Sequence, residues 1–180
     1  MAQCPQCADS TLVHAMLAPN LAAYSCGKCL GTLVSLAAYR AWRESTGSDR
    51  LPAMSAADAD TDAADSIAAK KYPKCRSLMS KYRISSEKTN RLDYCPHCDE
   101  VWLDDGEWHL VEGLALSGDF ARLFTQAWQS MVQVEVTGAM EASRLRTVLG
   151  GDFARVEEMR DWIQAHPRKL EILARLARKK

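Results

Sequence analysis

Short segments that alternate apolar and polar residues occur near the start of the chain and again in its middle. In SLMSKYRIS, residues 77–85, the alternation is that of a half-buried strand, EKTN follows as a turn, and RLDYC returns. The earlier segments TLVHAML and LAAYSC, joined by a turn at APN, follow the same plan. The pattern predicts two small β-ribbons.

From Gly118 onward the spacing of apolar residues becomes helical. The segment SGDFARLFTQAWQSMVQVEVTGAMEASRLRTVL predicts one long or broken helix, which ends at the two glycines at 150 and 151. Asp152 is predicted to cap a second helix, and Pro167 suits the start of a last one. The C-terminal third of the chain is therefore predicted to be helical.

A further short helix is predicted directly after the second ribbon. In DDGEWHLVEGL, Asp104 is placed to act as the N-cap, and Glu107 follows three residues later. Together they would form a capping box, which satisfies the free amides at the start of a helix.

Between the two ribbons lies a segment rich in Ala, Asp and Ser with almost no large apolar residues. It cannot bury enough surface to offset its chain entropy, so it is predicted to be a flexible acidic linker. The expected organisation is a first ribbon with a short helix at 1–44, the linker at 45–70, a second ribbon with its helix at 71–116, and a helical domain at 117–180.

Composition narrows the function classes only a little. The chain has 23 basic and 23 acidic residues, so its net charge demands neither a nucleic-acid nor a membrane partner. No apolar run approaches the roughly 20 residues that cross a bilayer, and no signal peptide is recognisable. We expect a cytoplasmic protein without a membrane span, in a reducing compartment.

Seven cysteines carry the most specific signal. They are Cys4, Cys7, Cys26, Cys29, Cys75, Cys95 and Cys98. Six of them form CxxC pairs, and the odd total argues against a disulfide framework. The pattern also repeats, since Cys26 and Cys29 recur 69 positions later as Cys95 and Cys98. In a reducing compartment such pairs indicate metal binding.

The first cysteine set predicts a closed structural site. Cys4, Cys7, Cys26 and Cys29 offer four thiolates, the tetrahedral ligand set that zinc prefers. Iron is a minor alternative, because it accepts the same four thiolates. The remaining alternatives are a thiol redox pair and a degenerate ribbon without metal.

The second set, Cys75, Cys95 and Cys98, lacks a fourth cysteine, because Tyr72 stands at the position that matches Cys4. Three alternatives remain open. The fourth ligand could be a histidine, with His97 and His109 as the local candidates. Tyr72 could fill the place in a metal-free ribbon, or water could complete an open site. One or two zinc ions per chain are therefore expected.

The segment YPKCRSLMSKYRISSEKTNRLDYCPHCDEVWLDDGEW resembles the transcription-factor-IIB-type zinc-ribbon family. The residues that match the family's pattern are Pro73, Cys75, Cys95, Cys98, Trp102, Leu103, Asp104, Gly106 and Glu107. Tyr72 departs from it, and the first copy has GTLVSLAAY in place of the Trp-Leu-Asp segment. The resemblance implies a small α+β chain with two zinc-ribbon β modules, followed here by an α-helical C-terminal domain.

Zinc ribbons of this family serve as adaptors for DNA, RNA and proteins, so the resemblance implies recognition and not a reaction. We expect a non-enzymatic adaptor that binds a protein partner or nucleic acid, in a role associated with transcription. No catalytic residue and no small-molecule substrate are expected. The alternative is a redox- or metal-responsive regulator that uses the three-cysteine site.

Two basic segments bear on the choice of partner. Lys74, Arg76, Lys81 and Arg83 make the second ribbon locally basic, and they predict salt-sensitive nucleic-acid binding. The amphipathic segment 167–180 carries a net charge of +5 from six cations and one glutamate. It could bind phosphates, an acidic protein surface or a membrane, or it could be an ordinary last helix.

Overall fold

Six short strands form one antiparallel sheet with the order β1-β2-β3-β6-β5-β4. The computed structural model of the chain describes residues 2–7, 9–46 and 63–178. The strands are β1 Val13–Ala18, β2 Leu21–Ser25, β3 Thr32–Ser35, β4 Ser80–Arg83, β5 Arg91–Cys95 and β6 Glu100–Leu103. The two predicted ribbons supply one half-sheet each: β1–β3 form the first half-sheet and β4–β6 the second.

Five α-helices among the described residues complete a mixed α+β fold, as the sequence predicts in this coarse sense. They are α1 Leu36–Thr46, α2 Glu107–Gly113, α3 Gln126–Leu149, α4 Phe153–Ala165 and α5 Lys169–Ala177. Short 3₁₀ turns lie at Phe120–Phe124 and Gly150–Asp152. The chain divides into two compact units, Met1–Val134 and Glu135–Lys180.

The two half-sheets are joined by antiparallel pairing of β3 with β6. Leu33 lies opposite Trp102, and Val34 lies opposite Val101. Leu33 and Trp102 are 69 positions apart, so they occupy the same place in the two copies of the repeat. The pairing is therefore two-fold in character, as in a symmetric dimer interface. It removes the open strand edges that two separate ribbons would present to solvent.

Alternation along β3 and β6 gives the sheet two different faces. Val34, Val101 and Leu103 belong to a core that packs against α1, α2 and the 3₁₀ turn at Phe120–Phe124. Leu33 and Trp102 point the other way and pack with the cysteines. We call these the helix face and the cysteine face. Side chains of successive residues leave a strand on opposite sides, which explains the division.

The outer edge of β4 is covered by a side chain from the start of α3. The Arg83 N–H donates to Gln129 Oε1 at 3.1 Å, and Gln129 Nε2 donates to the Arg83 carbonyl at 2.9 Å. The amide of Gln129 thus takes the place of a neighbouring strand. Trp128 Nε1 adds a bond to the carbonyl of Ile84 at 3.2 Å. Blocking an edge in this way prevents its pairing with another chain.

Most of the predicted linker, residues 47–62, lies outside the described residues. The described part, from residue 63 to residue 70, packs against the second half-sheet. There the Ser66 N–H donates to Asp104 Oδ2 at 2.9 Å, and Lys70 Nζ lies 2.7 Å from Asp93 Oδ2 and 3.1 Å from Asp104 Oδ2. Lys70 is only 3 % exposed, because these two carboxylates neutralise its charge in the interior.

The prediction of Asp104 as a side-chain N-cap is wrong. Glu107 Oε2 does accept from the Asp104 N–H at 2.8 Å, as one half of a capping box requires. The Asp104 carboxylate instead accepts from Trp102 Nε1 at 2.8 Å and from Lys70. A buried indole and a buried ammonium group compete successfully for it, and α2 starts after Gly106 with no side-chain cap. Asp152 likewise makes no side-chain cap bond at α4.

Candidate metal centres

The first cluster brings Cys4, Cys7, Cys26 and Cys29 together on the cysteine face. All four sulfur atoms lie within 4.8 Å of one another, and the Sγ atoms of Cys4 and Cys29 are 3.7 Å apart. A tetrahedral zinc ion with Zn–S bonds of about 2.3 Å separates its sulfur ligands by about 3.8 Å. The four thiols are therefore positioned to hold a tetrahedral metal ion.

Each CxxC turn also directs backbone amides at its first sulfur. The Cys7 N–H donates to Cys4 Sγ at 3.2 Å, and the Lys28 N–H donates to Cys26 Sγ at 3.4 Å. The second turn closes through Leu30, whose φ of 59° places it in the left-handed region. Amides that point at sulfur stabilise the thiolate, which is the form that binds a metal.

Electrostatics distinguish the individual thiols of the first cluster. Burial raises the pKa of Cys4. Burial would also raise the pKa of Cys26, but a hydrogen bond with the Ser10 side chain and bonds from backbone amides lower it to about 6. Cys26 therefore favours the thiolate at neutral pH, which is the form that metal binding requires.

The second cluster consists of Cys75, Cys95 and Cys98. Their sulfur atoms also lie within 4.8 Å of one another, with 3.5 Å between the Sγ atoms of Cys75 and Cys95. No histidine or carboxylate among the described residues joins this group. His97 is exposed, and His109 is 67 % exposed with Nδ1 3.3 Å from a Glu112 oxygen. The structure thus places both candidate histidines outside the cluster.

Tyr72 occupies the backbone position that Cys4 has in the first half. The Cys4 N–H donates to the Ser10 carbonyl at 2.8 Å, and the Tyr72 N–H donates to the Ser77 carbonyl at 2.9 Å. The Tyr72 side chain is fully buried, and its hydroxyl donates to Glu100 Oε2. Burial raises the pKa of Tyr72, so its phenol stays protonated. The aromatic ring therefore packs where the other site has a ligand.

Both clusters share one buried layer on the cysteine face, centred on Leu33 and Trp102. Gly31 makes this packing possible, because a Cβ atom at this position would lie 2.2 Å from Cζ2 of Trp102. A larger residue would force the indole out of place. The local sequence Gly-Thr-Leu does not reveal that Gly31 contacts Trp102.

The four basic residues predicted for nucleic-acid binding lie in different environments. Arg76 is exposed, and Lys74 is 61 % exposed with Nζ 3.4 Å from Glu100 Oε1. Lys81 is 17 % exposed, lies 3.0 Å from the Asp93 carboxylate, and donates to the Ser66 carbonyl at 2.6 Å. Arg83 is partly buried. Lys74 and Arg76 thus present their charge to solvent, whereas Lys81 is held in an internal ion pair.

A shallow cleft of about 270 Å³ opens between the two proline-containing turns of the cysteine face. Its lining residues are Gln3, Cys4, Pro5, Lys71, Tyr72, Pro73 and Arg76. The cations come from the second turn, so the cleft has one neutral and one basic wall.

Sequence reasoning missed a group of one partly buried and two buried carboxyl groups beside the second half-sheet. Asp65, Asp104 and Glu107 place oxygens within 4.8 Å of one another. Burial raises the pKa of Glu107 to about 9, so this side chain is protonated at neutral pH. Burial would lower the pKa of Lys70, but its bonds to Asp93 and the charge of Asp104 raise it. These side chains attach the described part of the linker, residues 63–70, to the second half-sheet.

No family model matches the chain, and no curated protein or solved structure shows a significant similarity to it. The resemblance to the transcription-factor-IIB-type ribbons therefore rests on the residues that carry it. Among the described residues, no helix is long and apolar enough to cross a membrane. The structural facts that bear on function are the two cysteine clusters positioned to bind metal and the surfaces around them.

Proposed function

We propose that the protein is a non-enzymatic adaptor, in which zinc bound by Cys4, Cys7, Cys26 and Cys29 stabilises a pair of zinc ribbons fused into one sheet. The C-terminal helices bind a protein partner. Four thiolates saturate a zinc ion and leave no position for substrate or water, so this site supports a structural role. On this account the sheet is a rigid scaffold and recognition occurs elsewhere on the chain.

The observation that carries the proposal is the exposure of apolar residues on the helices of the second unit. The exposed large apolar side chains there are Met140, Val148, Val156, Met159, Trp162, Leu170, Leu173 and Leu176. Trp162 alone is 57 % exposed. Single exposed apolar residues are common, but a concentration of this kind within 46 residues is typical of a protein-binding surface.

The last helix indicates the character of the partner. In α5 the exposed residues Leu170 and Leu173 are three positions apart, the spacing of an apolar helix stripe. Arg168, Lys169 and Arg175 are exposed around that stripe. An amphipathic helix of this type fits an apolar groove with an acidic rim on another protein.

A photo-cross-linking experiment tests the proposal. A photo-reactive aromatic residue in place of Trp162 should capture one recurrent protein, which mass spectrometry then identifies. The control position is Gln164, which is exposed on the opposite side of α4. Capture of the same proteins at both positions, or of none at Trp162, would contradict a binding surface on α4.

Nucleic-acid binding by the second ribbon is tested in a separate experiment. If the second ribbon binds a phosphate backbone, the double variant Lys74→Glu, Arg76→Glu should lose salt-sensitive binding to an unspecific duplex. The matched control is Arg144→Glu, which changes an exposed cation of α3. We expect no such binding in the unmodified chain at physiological salt.

The second candidate function is a metal- or redox-responsive regulator, and the three-cysteine cluster favours it. Cys75 and Cys98 are partly exposed, as are Cys7 and Cys29 of the first cluster, so the difference between the clusters lies in the number of thiols and not in their exposure. A hydrogen bond with the Ser77 side chain contributes most to lowering the pKa of Cys75 to about 7, which increases its thiolate fraction. In the proposed scaffold zinc occupies all four thiolates of the first cluster, so mild peroxide should modify the second cluster first. Equal modification of all seven cysteines would remove this candidate.

A further inference from the structure

The two cysteine clusters differ in one ligand position, and the structure shows what fills it. Cys4 and Tyr72 make the same backbone hydrogen bond in their respective turns, so their side chains leave the chain at equivalent places. At the first cluster this side chain is a thiol. At the second it is a phenol ring that is 0 % exposed. The backbone position that supplies the fourth thiol of the first cluster therefore carries a buried aromatic ring in the second.

Tyr72 is also held away from a ligand role. Its hydroxyl donates to Glu100 Oε2, and Glu100 Oε1 lies 3.4 Å from Lys74 Nζ. Lys74 Nζ in turn sits 5.9 Å from the centroid of the Tyr72 ring. These contacts fix the ring from its polar end. The Glu100 carboxylate that accepts from the phenol does not belong to the group of potential ligands around Cys75.

We infer that Cys75, Cys95 and Cys98 form a three-coordinate site for a soft monovalent ion, copper(I), and not a second zinc site. Zinc in structural sites takes four ligands, and this cluster supplies three. Thiolates are soft donors that select copper(I), a closed-shell ion that is stable with three sulfur ligands. The inference rests on the metal-responsive candidate above and is independent of the adaptor surface on α4.

Charge around the cluster agrees with this assignment. Three thiolates and one monovalent ion leave a net charge of −2, as do four thiolates with zinc. Three thiolates with zinc would leave only −1. The second turn carries Lys71 and Lys74 where the first has Gln3 and Gln6. These cations, with the exposed Arg76, place positive charge beside the copper complex and partly compensate its negative charge.

The cluster is also accessible. Cys95 is 0 % exposed, but Cys75 and Cys98 are partly exposed, so a carrier thiol can transfer copper(I) to them by ligand exchange. No electron is gained or lost in this transfer. One copper–sulfur bond to the carrier breaks as each bond to the protein forms, and the protons of the protein thiols pass to solvent or to the carrier.

The test uses the full chain loaded with zinc, under anaerobic and reducing conditions, with copper(I) held by a chromogenic chelator. Native mass spectrometry should show one zinc and one copper per chain, with thiolate-to-copper absorption in the ultraviolet. Cys98→Ser should abolish copper binding while the zinc at the first cluster is retained. Tyr72→Phe removes the hydroxyl and keeps the ring, and it should still bind copper.

The decisive variant is Tyr72→Cys, which restores four thiolates. It should bind two zinc ions per chain, whereas the unmodified chain should bind one. The inference is overturned if the unmodified chain binds a second zinc as tightly as this variant does. It is also overturned if no copper binds, or if Cys98→Ser leaves copper binding unchanged. If copper binds but cross-linking at Trp162 is unaltered, the copper site is supported and the metal-responsive regulation of partner binding is refuted.

Discussion

Leu33 and Trp102 face one another across the centre of the six-stranded sheet, although each is the counterpart of the other in a repeat of 69 residues. A duplicated segment has therefore packed against itself through its own third strand. Both cysteine clusters adjoin this pair in one buried layer. A metal ion held by the first cluster would consequently support a layer that the second half-sheet also contributes to.

Gly31→Ala should destabilise the protein through Trp102. The added Cβ would lie 2.2 Å from the indole, so either the ring or β3 must move. We expect a loss of roughly 1–3 kcal/mol in the free energy of unfolding, measured by urea titration. Gly27→Ala is the matched control, because nothing lies within 4 Å of a Cβ there. Equal effects of the two substitutions would refute the contact.

Lys70→Ala should be among the most destabilising substitutions outside the cysteines. It leaves the buried carboxylates of Asp93 and Asp104 without the ammonium that now lies 2.7 Å and 3.1 Å from them. Removing one partner from a buried ion network costs about 3–5 kcal/mol. Lys74→Ala removes a cation that is 61 % exposed and should change stability little. Thermal unfolding of the two variants side by side decides the point.

Glu107 should make the protein less stable as the pH rises. Its pKa is raised by burial to about 9 from an ordinary value of 4.5, so between these values the native state holds a proton that the unfolded chain has released. Stability from this group is complete below the lower value and is lost as the pH approaches the higher one.

Glu107→Gln should remove this pH dependence, because the amide keeps the acceptor for the Asp104 N–H and carries no titrating proton. Relative to the unmodified chain, the variant should gain roughly 1 kcal/mol or more between pH 5 and pH 8. Chemical denaturation at several pH values measures the difference. Parallel stability curves for the two proteins would show that Glu107 is not the responsible group.

The strands and the cysteine sets could be predicted from local sequence, because alternation and CxxC spacing are short-range signals. The mixed α+β class is confirmed at this level, and the zinc-ribbon assignment remains a prediction. The pairing of Leu33 with Trp102 joins distant residues and leaves no local trace. A lysine that follows an Ala- and Asp-rich segment is typical of a solvated position. Lys70 is buried instead, because it binds carboxylates more than 20 residues away.

Asp104 also shows that a local motif does not reveal contacts made in the folded structure. Its spacing from Glu107 correctly predicts one of the two capping-box bonds. The other bond fails, because a local motif cannot show that Trp102 and Lys70 compete for the carboxylate. The sequence identifies Tyr72 as a departure from the cysteine pattern, but its hydrogen bond to Glu100 is visible only in the folded structure.

Metal analysis tests the central claim most directly. Elemental analysis combined with native mass spectrometry of the purified chain should find one zinc ion, which Cys4→Ser removes together with the cooperative thermal transition. A structural zinc site contributes on the order of 10 kcal/mol, so the sheet should not survive that loss. Cys95→Ser should leave the zinc bound. A chain that contains no zinc, or that keeps its zinc and its transition in Cys4→Ser, would contradict the account of a zinc-stabilised scaffold.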